Sequence, residues 1–381
     1  MEQAYSFVPQ INQLYEAMGE PCVTHPLLTN LSGMISWLFK GCAGKTELSG
    51  LKAAIFLFQV DCALNMDTDF EVIVNTGVPQ KDSAKAVTIA ISARALFDME
   101  EEHELFMTEG PEEYVNHQII NEDIPLKEGI VFPFIRAIHM VNERLLSLDP
   151  EEKQLFQIIL LSTHSAGGGV RIIKSVKYYG LDVSKFCFLN GHDPSEYLKS
   201  QNVLLFLSAC ETSVCNALKR HIPAALMLKQ ASATSKDQLK VAFDGDSVLF
   251  SDETDVVFRE KGLVEVFKYE KEMEQVPIGE GPFKVFAMIL GEMKKKFPPE
   301  DDPICTYLVT ARSSNELGAR AINTLRHWGL QIDEAFFMGG SPKGPVLAEI
   351  KPHIFFDDNP GNILGAHEYG IPAGLVLAGC K

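Results

Sequence analysis

Residues 320–340 read RAINTLRHWGLQIDEAFFMGG. An amphipathic segment runs into Gly329, a common helix stop, and a short Phe-rich run follows. Residues 171–191, RIIKSVKYYGLDVSKFCFLNG, repeat that layout at a constant shift of 149. The overlay runs without a gap from 171–228 onto 320–377. Arg171 falls on Arg320, Gly180 on Gly329 and Gly191 on Gly340, and the tripeptide IPA recurs at 222–224 and 371–373. Upstream, ILLSTHS lies over YLVTARS and IAISARALF over VAFDGDSVLF, each after one gap. Any two strand–helix units look somewhat alike, but the gapless length and the shared Gly and Pro positions imply two copies of one unit. The expected copies are residues 85–232 and 233–381.

From Lys85 onward, short runs rich in Val, Ile, Leu and Phe alternate with longer amphipathic segments. KAVTIAIS, FQIILLS, KFCFLN, NVLLFLSA, LKVAFD, CTYLVTA, AFFMGG and HIFFDD are the runs. Continuous apolar runs suit parallel strands covered on both faces. The expected fold class is α/β, as two tandem doubly wound, Rossmann-like units.

The chain has 381 residues, enough for two domains. Its 34 basic and 51 acidic residues give a net charge of -17, which argues against nucleic acid or an anionic membrane as partner. The eight cysteines show neither CxxC nor zinc spacing, so reduced thiols in a cytoplasmic protein are expected. The first residues lack a signal-peptide layout. The most apolar stretch, LKAAIFLFQVDCALNM, holds Lys52 and Asp61 and is too short to span a bilayer. Residues 1–84 say least. GCAGKTELS at 41–49 looks like the tail of a phosphate-binding loop, but Phe39 stands where that motif needs glycine, so Lys45 is not expected to bind phosphate. GVPQKDSAK at 77–85 reads as a linker.

The two copies differ at their strand ends. Asp244 falls on about Ser92, Asp246 on about Arg94, Lys343 on Pro194, and Asp357 and Asp358 on Ser208 and Ala209. Ligands of open parallel sheets bind beyond the carboxyl ends of the strands. The second copy would gather Asp244, Asp246, Thr310, Lys343, Asp357 and Asp358 there. So many carboxylates in one crevice repel unless a cation joins them, and Mg²⁺ prefers such hard oxygen ligands. Lys343 and Thr310 add a charge and a hydroxyl donor for an anion. Nucleophilic carboxylate, metal and anion-binding groups together point to phosphoryl chemistry. Taken singly, each acid reads as an ordinary strand-end turn and Lys343 as a surface lysine.

The order Asp-x-Asp, Thr, Lys, Asp-Asp resembles the four motifs of the haloacid dehalogenase superfamily. VAFDGDSVLFSDE, TYLVTARS, GGSPKGP and PHIFFDD, with AVTIAISARALF upstream, resemble the cytosolic 5′-nucleotidase type I family more closely, over about residues 85–377. The resemblance implies a Mg²⁺-dependent hydrolase of nucleoside 5′-monophosphates, with AMP the expected substrate and nucleoside and phosphate the products. It implies Asp244 as the nucleophile that becomes an aspartyl-phosphate and Asp246 as general acid, then base. Thr310 would bind phosphate oxygens and Lys343 would neutralise phosphate and Asp244 together. Asp244, Asp357, Asp358 and the Asp246 carbonyl would hold Mg²⁺. An insert at about 254–303 would act as a cap that selects substrate. Arg312 would meet phosphate or ribose, or else lie at the surface. Phe250, Phe267 and Tyr269 would stack a base, or else fill core. The first copy is expected to be a non-catalytic partner that could bind a nucleotide effector, with Gly167–Gly169 either a phosphate cradle or a plain turn. His353 and His367 have no metal spacing. A homo-oligomer is expected. The rival readings are a phosphatase for another small phosphate ester and a non-catalytic nucleotide-binding regulator.

Overall fold

The structure is a computed structural model and describes residues 70–228, 238–314 and 317–377. The Lys45 reading and the expected junction at 232/233 lie outside these residues. Among those described, eleven strands form one sheet. In chain order they are β1 (Glu71–Val74), β2 (Val87–Ser92), β3 (Phe156–Ser162), β4 (Val183–Phe188), β5 (Leu205–Ser208) and β6 (Ala224–Met227). Then come β7 (Leu239–Phe243), β8 (Ile304–Thr310), β9 (Glu334–Phe337), β10 (Ile354–Asp357) and β11 (Ala373–Leu375). Across the sheet they lie in the order β1-β4-β3-β2-β5-β6-β11-β10-β7-β8-β9.

Every residue of β2 and β3 is buried, because helices cover both faces. Each fully buried Val, Ile or Phe along these strands contributes roughly 1.5–3 kcal/mol. Strands β2 to β6 are parallel to one another, and so are β7 to β11. Only β1 on β4, and β6 on β11, pair antiparallel within this sheet. The order β4-β3-β2-β5-β6 in the first half is the order β9-β8-β7-β10-β11 in the second. Because β6 and β11 run in opposite senses, the carboxyl ends of the two parallel sets emerge at opposite edges of the sheet. The boundary expected at residue 84 cuts off β1, which the sheet includes.

The connections repeat as well. Between β2 and β3 lie helices Glu100–Glu109, Pro111–Ile120 and Phe132–Leu148. Between β7 and β8 lie Glu253–Lys261, Leu263–Glu272 and Lys284–Lys294. The first two helices of each trio meet at a glycine with positive φ, +91° at Gly110 and +79° at Gly262. Arg171, on helix Val170–Tyr178, donates from Nε to Ile124 O and from Nη1 to Glu102 Oε1, the second bond buried. Arg320, on helix Gly318–Trp328, donates from Nε to Val276 O and from Nη1 to Glu270 Oε1. Each arginine thus ties a strand-following helix to the insert of its own half.

Among the described residues no helix is long and apolar enough to cross a membrane. Among the described residues, Cys187, Cys210 and Cys305 carry free thiols.

Candidate active site

Three neighbouring strands of the second half end side by side. β10 ends at Asp357, β8 ends at Thr310, and Asp244 follows directly on β7 between them. The Asp244 N–H still bonds to Phe356 O at 2.8 Å, which holds the residue to the sheet. Lys343 stands at the start of helix Gly344–Ile350, after β9. Its Nζ lies 2.7 Å from Asp244 Oδ1 and 2.7 Å from Asp357 Oδ2. Lys343 is 3% exposed, so this ammonium has been moved out of water to bridge two acids.

Asp357 is fully buried and well held. It accepts from Lys343, from the Asn359 N–H at 2.8 Å, and from Asn362 Nδ2 at 3.1 and 3.0 Å. One carboxylate oxygen each from Asp244, Asp357 and Asp358 lie within 4.8 Å of one another. Burial, with repulsion from Asp357 and Asp246, holds the Asp244 carboxyl well above the usual carboxylate range, although Lys343 pulls it down. Burial, then Asp357 and Asp255, pushes Asp358 up to about 6. For Lys343, burial alone would lower the ammonium, but Asp244 and Asp357 outweigh it and raise it. Three carboxylate oxygens crowded this closely form a donor set that a hard divalent cation fits.

The glycine between the two leading acids is required by packing. A Cβ on Gly245 would sit 2.9 Å from Thr310 Oγ1 and 3.3 Å from the Phe250 ring. The backbone turns sharply just after it, with Ser247 at φ +63°, a conformation that costs a non-glycine residue about 1 kcal/mol. Asp246 is therefore turned onto Arg312, which grips it with two bonds, Nε to Oδ2 at 2.8 Å and Nη2 to Oδ1 at 2.7 Å. Arg312 is 3% exposed and also donates to Glu270 Oε2 and Thr254 Oγ1, both at 2.8 Å.

A family model described as 5′-nucleotidase matches residues 79–381. The chain belongs to the 5′-nucleotidase family. Human cytosolic 5′-nucleotidase 1B is 45% identical to this family member over 291 residues, which cover 75% of the chain and 48% of the human protein. The chain thus spans about half the length of that relative. No solved structure matches it.

In this 5′-nucleotidase family member, Asp244, Lys343, Asp357 and Asp358 come together, with Thr310 and Asp246 beside them. Phe250 does not join them as a stacking surface. It is fully buried with its ring 5.6 Å from that of Trp328, so its apolar face is spent on core. Tyr269 packs on Arg320 and donates its hydroxyl to Glu253, and Phe267 is half-buried. His353 is buried, its Nδ1 accepting the Lys240 N–H. His367 is buried on helix Pro360–His367. Gly168 and Gly169 serve packing: a Cβ on either would strike the Tyr114 or Phe188 ring.

Reading the sequence missed Asn362, Thr254 and Glu270. Asn362 had a signal, since it lies one helical turn beyond a strand-end Asp pair in DDNPGN. Glu270 had none, because nothing in YEKEMEQ separates the one fully buried acid from its solvated neighbours.

Proposed function

We propose that the chain hydrolyses nucleoside 5′-monophosphates to nucleoside and phosphate in the second half of the sheet. AMP is the expected substrate, and Mg²⁺ held by Asp244, Asp357, Asp358 and the Asp246 carbonyl is the expected cofactor. The observation that carries the reading is the buried Lys343 ammonium bridging Asp244 and Asp357 at the ends of adjacent strands. Such an ammonium can stabilise a dianionic phosphate beside the carboxylate that attacks it. When bound, the cation would neutralise the crowded carboxylates and the phosphate oxygens.

The steps fall to this chain's own side chains. Asp244 attacks phosphorus, forming an aspartyl-phosphate as the bond to the 5′-oxygen breaks. Asp246 gives its proton to that leaving oxygen. It then takes a proton from water, whose oxygen attacks phosphorus and releases Asp244 and phosphate. To do so, Asp246 must exchange its bonds to Arg312 for the leaving group. Thr310 orients the phosphate oxygens. The helices between β7 and β8 form the cap, and the first half is a tandem haloacid-dehalogenase-like unit without catalysis. The relative's printed name supports a cytoplasmic protein, and a homo-oligomer fits the family.

The test is phosphate release from 5′- and 3′-nucleoside monophosphates and sugar phosphates, with and without Mg²⁺. Release from 5′-monophosphates that needs Mg²⁺ and falls about a thousandfold or more in Asp244→Asn is expected. Release from sugar phosphates alone would discard the substrate, and no release from a folded protein would discard the reaction.

A further inference from the structure

We propose that the strand-end cleft of the first half is an anion site that takes a phosphate group. Strands β2, β3 and β5 end at Ser92, Ser162 and Ser208, where the second half places Asp244, Thr310 and Asp357. These serines line one cleft together with Arg94, His164 and Cys210. The carboxylates that crowd the second half are replaced here by hydroxyls and bases.

Three nitrogens at this end are left without partners. Arg94 Nε, His103 Nδ1 and His164 Nδ1 are buried and have no hydrogen-bond partner among the described residues. His164 is itself 8% exposed, wedged between the Phe106 and Tyr114 rings. Buried polar atoms of this kind are uncommon, and three within electrostatic reach of one another are more so. Burial, then the charges of His103 and Arg94, push His164 down to about 4. Burial and then Arg94 likewise lower His103. Each base thus penalises the next, which an anion would reverse and a metal cation would worsen.

The hydroxyls complete the donor set. Ser92 Oγ accepts the Ala209 N–H at 3.1 Å, Ser208 Oγ accepts the Cys210 N–H at 3.1 Å, and Ser162 Oγ accepts the His164 N–H at 3.3 Å. A hydroxyl that accepts one bond still has its hydrogen to give. The acid paired with Arg94, Glu100, bonds to its Nη2 at 3.0 Å with its side chain 43% exposed. So exposed an ion pair is weak, and an incoming dianion can displace it. A ligand that only accepts, carries two charges and matches a guanidinium fork is a phosphate. The cleft opens at the edge of the sheet opposite the aspartates. It lies five strands away in the sheet order, roughly 24 Å at the usual strand spacing.

The test is an NMR titration of histidine ring signals in the full chain carrying Asp244→Asn, first with inorganic phosphate and then with a nucleoside 5′-diphosphate. Assignments come from His103→Gln and His164→Gln. Saturable shifts at both rings are expected, and Arg94→Met with an unchanged thermal midpoint should abolish them. Should Arg94→Met fail to fold, Arg94→Lys, which keeps the charge without the fork, should weaken binding about tenfold. Saturation by inorganic phosphate assigns the free anion, and saturation only by the diphosphate assigns the end of a nucleotide. No shift with either, or shifts that persist at full affinity in the Arg94 variants, overturns the site. Because the variant lacks the nucleophile, this outcome is independent of whether the second half is catalytic.

Discussion

Arg312 meets Asp246 edge-on, with two parallel hydrogen bonds of 2.8 and 2.7 Å. The same guanidinium holds Glu270, whose side chain is fully buried. Arg312→Ala would leave two acids short of a partner in a dry place. A loss of roughly 3–5 kcal/mol is expected, read as a lower denaturant midpoint at unchanged slope. Arg312→Lys keeps a charge but not the fork and should recover only part of it. A loss below about 1 kcal/mol for Arg312→Ala would show that the network is not structural.

Gly245 predicts a more local effect. A methyl group there must push the Thr310 hydroxyl aside, because that oxygen is 2.9 Å from the Cβ position. Gly245→Ala should fold, with turnover down by about tenfold or more and substrate KM raised as well. A variant with wild-type kinetics would mean that Thr310 has no part in binding phosphate.

Asp358 links the site to stability. Its carboxyl is raised to about 6 by burial first and then by Asp357 and Asp255. Without metal, Asp358→Asn removes repulsion and should unfold at a higher temperature than the parent protein. With Mg²⁺ at a hundred times its dissociation constant, the parent should gain about 2.7 kcal/mol and the variant clearly less. Equal gains would take Asp358 out of the metal site.

His139 predicts acid sensitivity. Burial pushes this imidazole from 6.5 down to about 4, against a raising effect from Asp182 and lowering effects from Lys81 and Arg136. Between those values the unfolded chain binds a proton that the folded chain refuses. Stability is therefore full above pH about 6.5 and lost as pH falls towards about 4, by roughly 3 kcal/mol in total. His139→Leu should flatten that slope in urea titrations at pH 7 and pH 5. A variant as acid-sensitive as the parent would assign the loss to other groups.

Much of the sheet was legible because its strands are continuous apolar runs ending in small or polar residues. Strands β6 and β11 were not read as strands, although their IPA motifs marked the repeat. AALM and AGL are too short and too small to stand out. Asp244, Thr310, Lys343 and Asp357 were legible by their order along the chain, since strand ends converge in a parallel sheet. Phe250 was left open between a base-stacking face and core, because an aromatic beside a site has no local signal that separates the two. Arg312 was expected at a phosphate, a ribose or the surface. Its two acidic partners come from distant segments that only the tertiary fold brings in.

The antiparallel seam between β6 and β11 carries a practical consequence. It is short, with Met227 opposite Gly374 and Leu226 opposite Leu375. A gene split between residues 229 and 237 would yield two fragments, each with a bare, apolar strand edge where its counterpart had been. Such edges recruit any strand on offer. Expressed alone, each fragment should self-associate. Co-expressed, the two should find one another and restore the eleven-stranded sheet, which makes the seam a usable site for split-protein complementation.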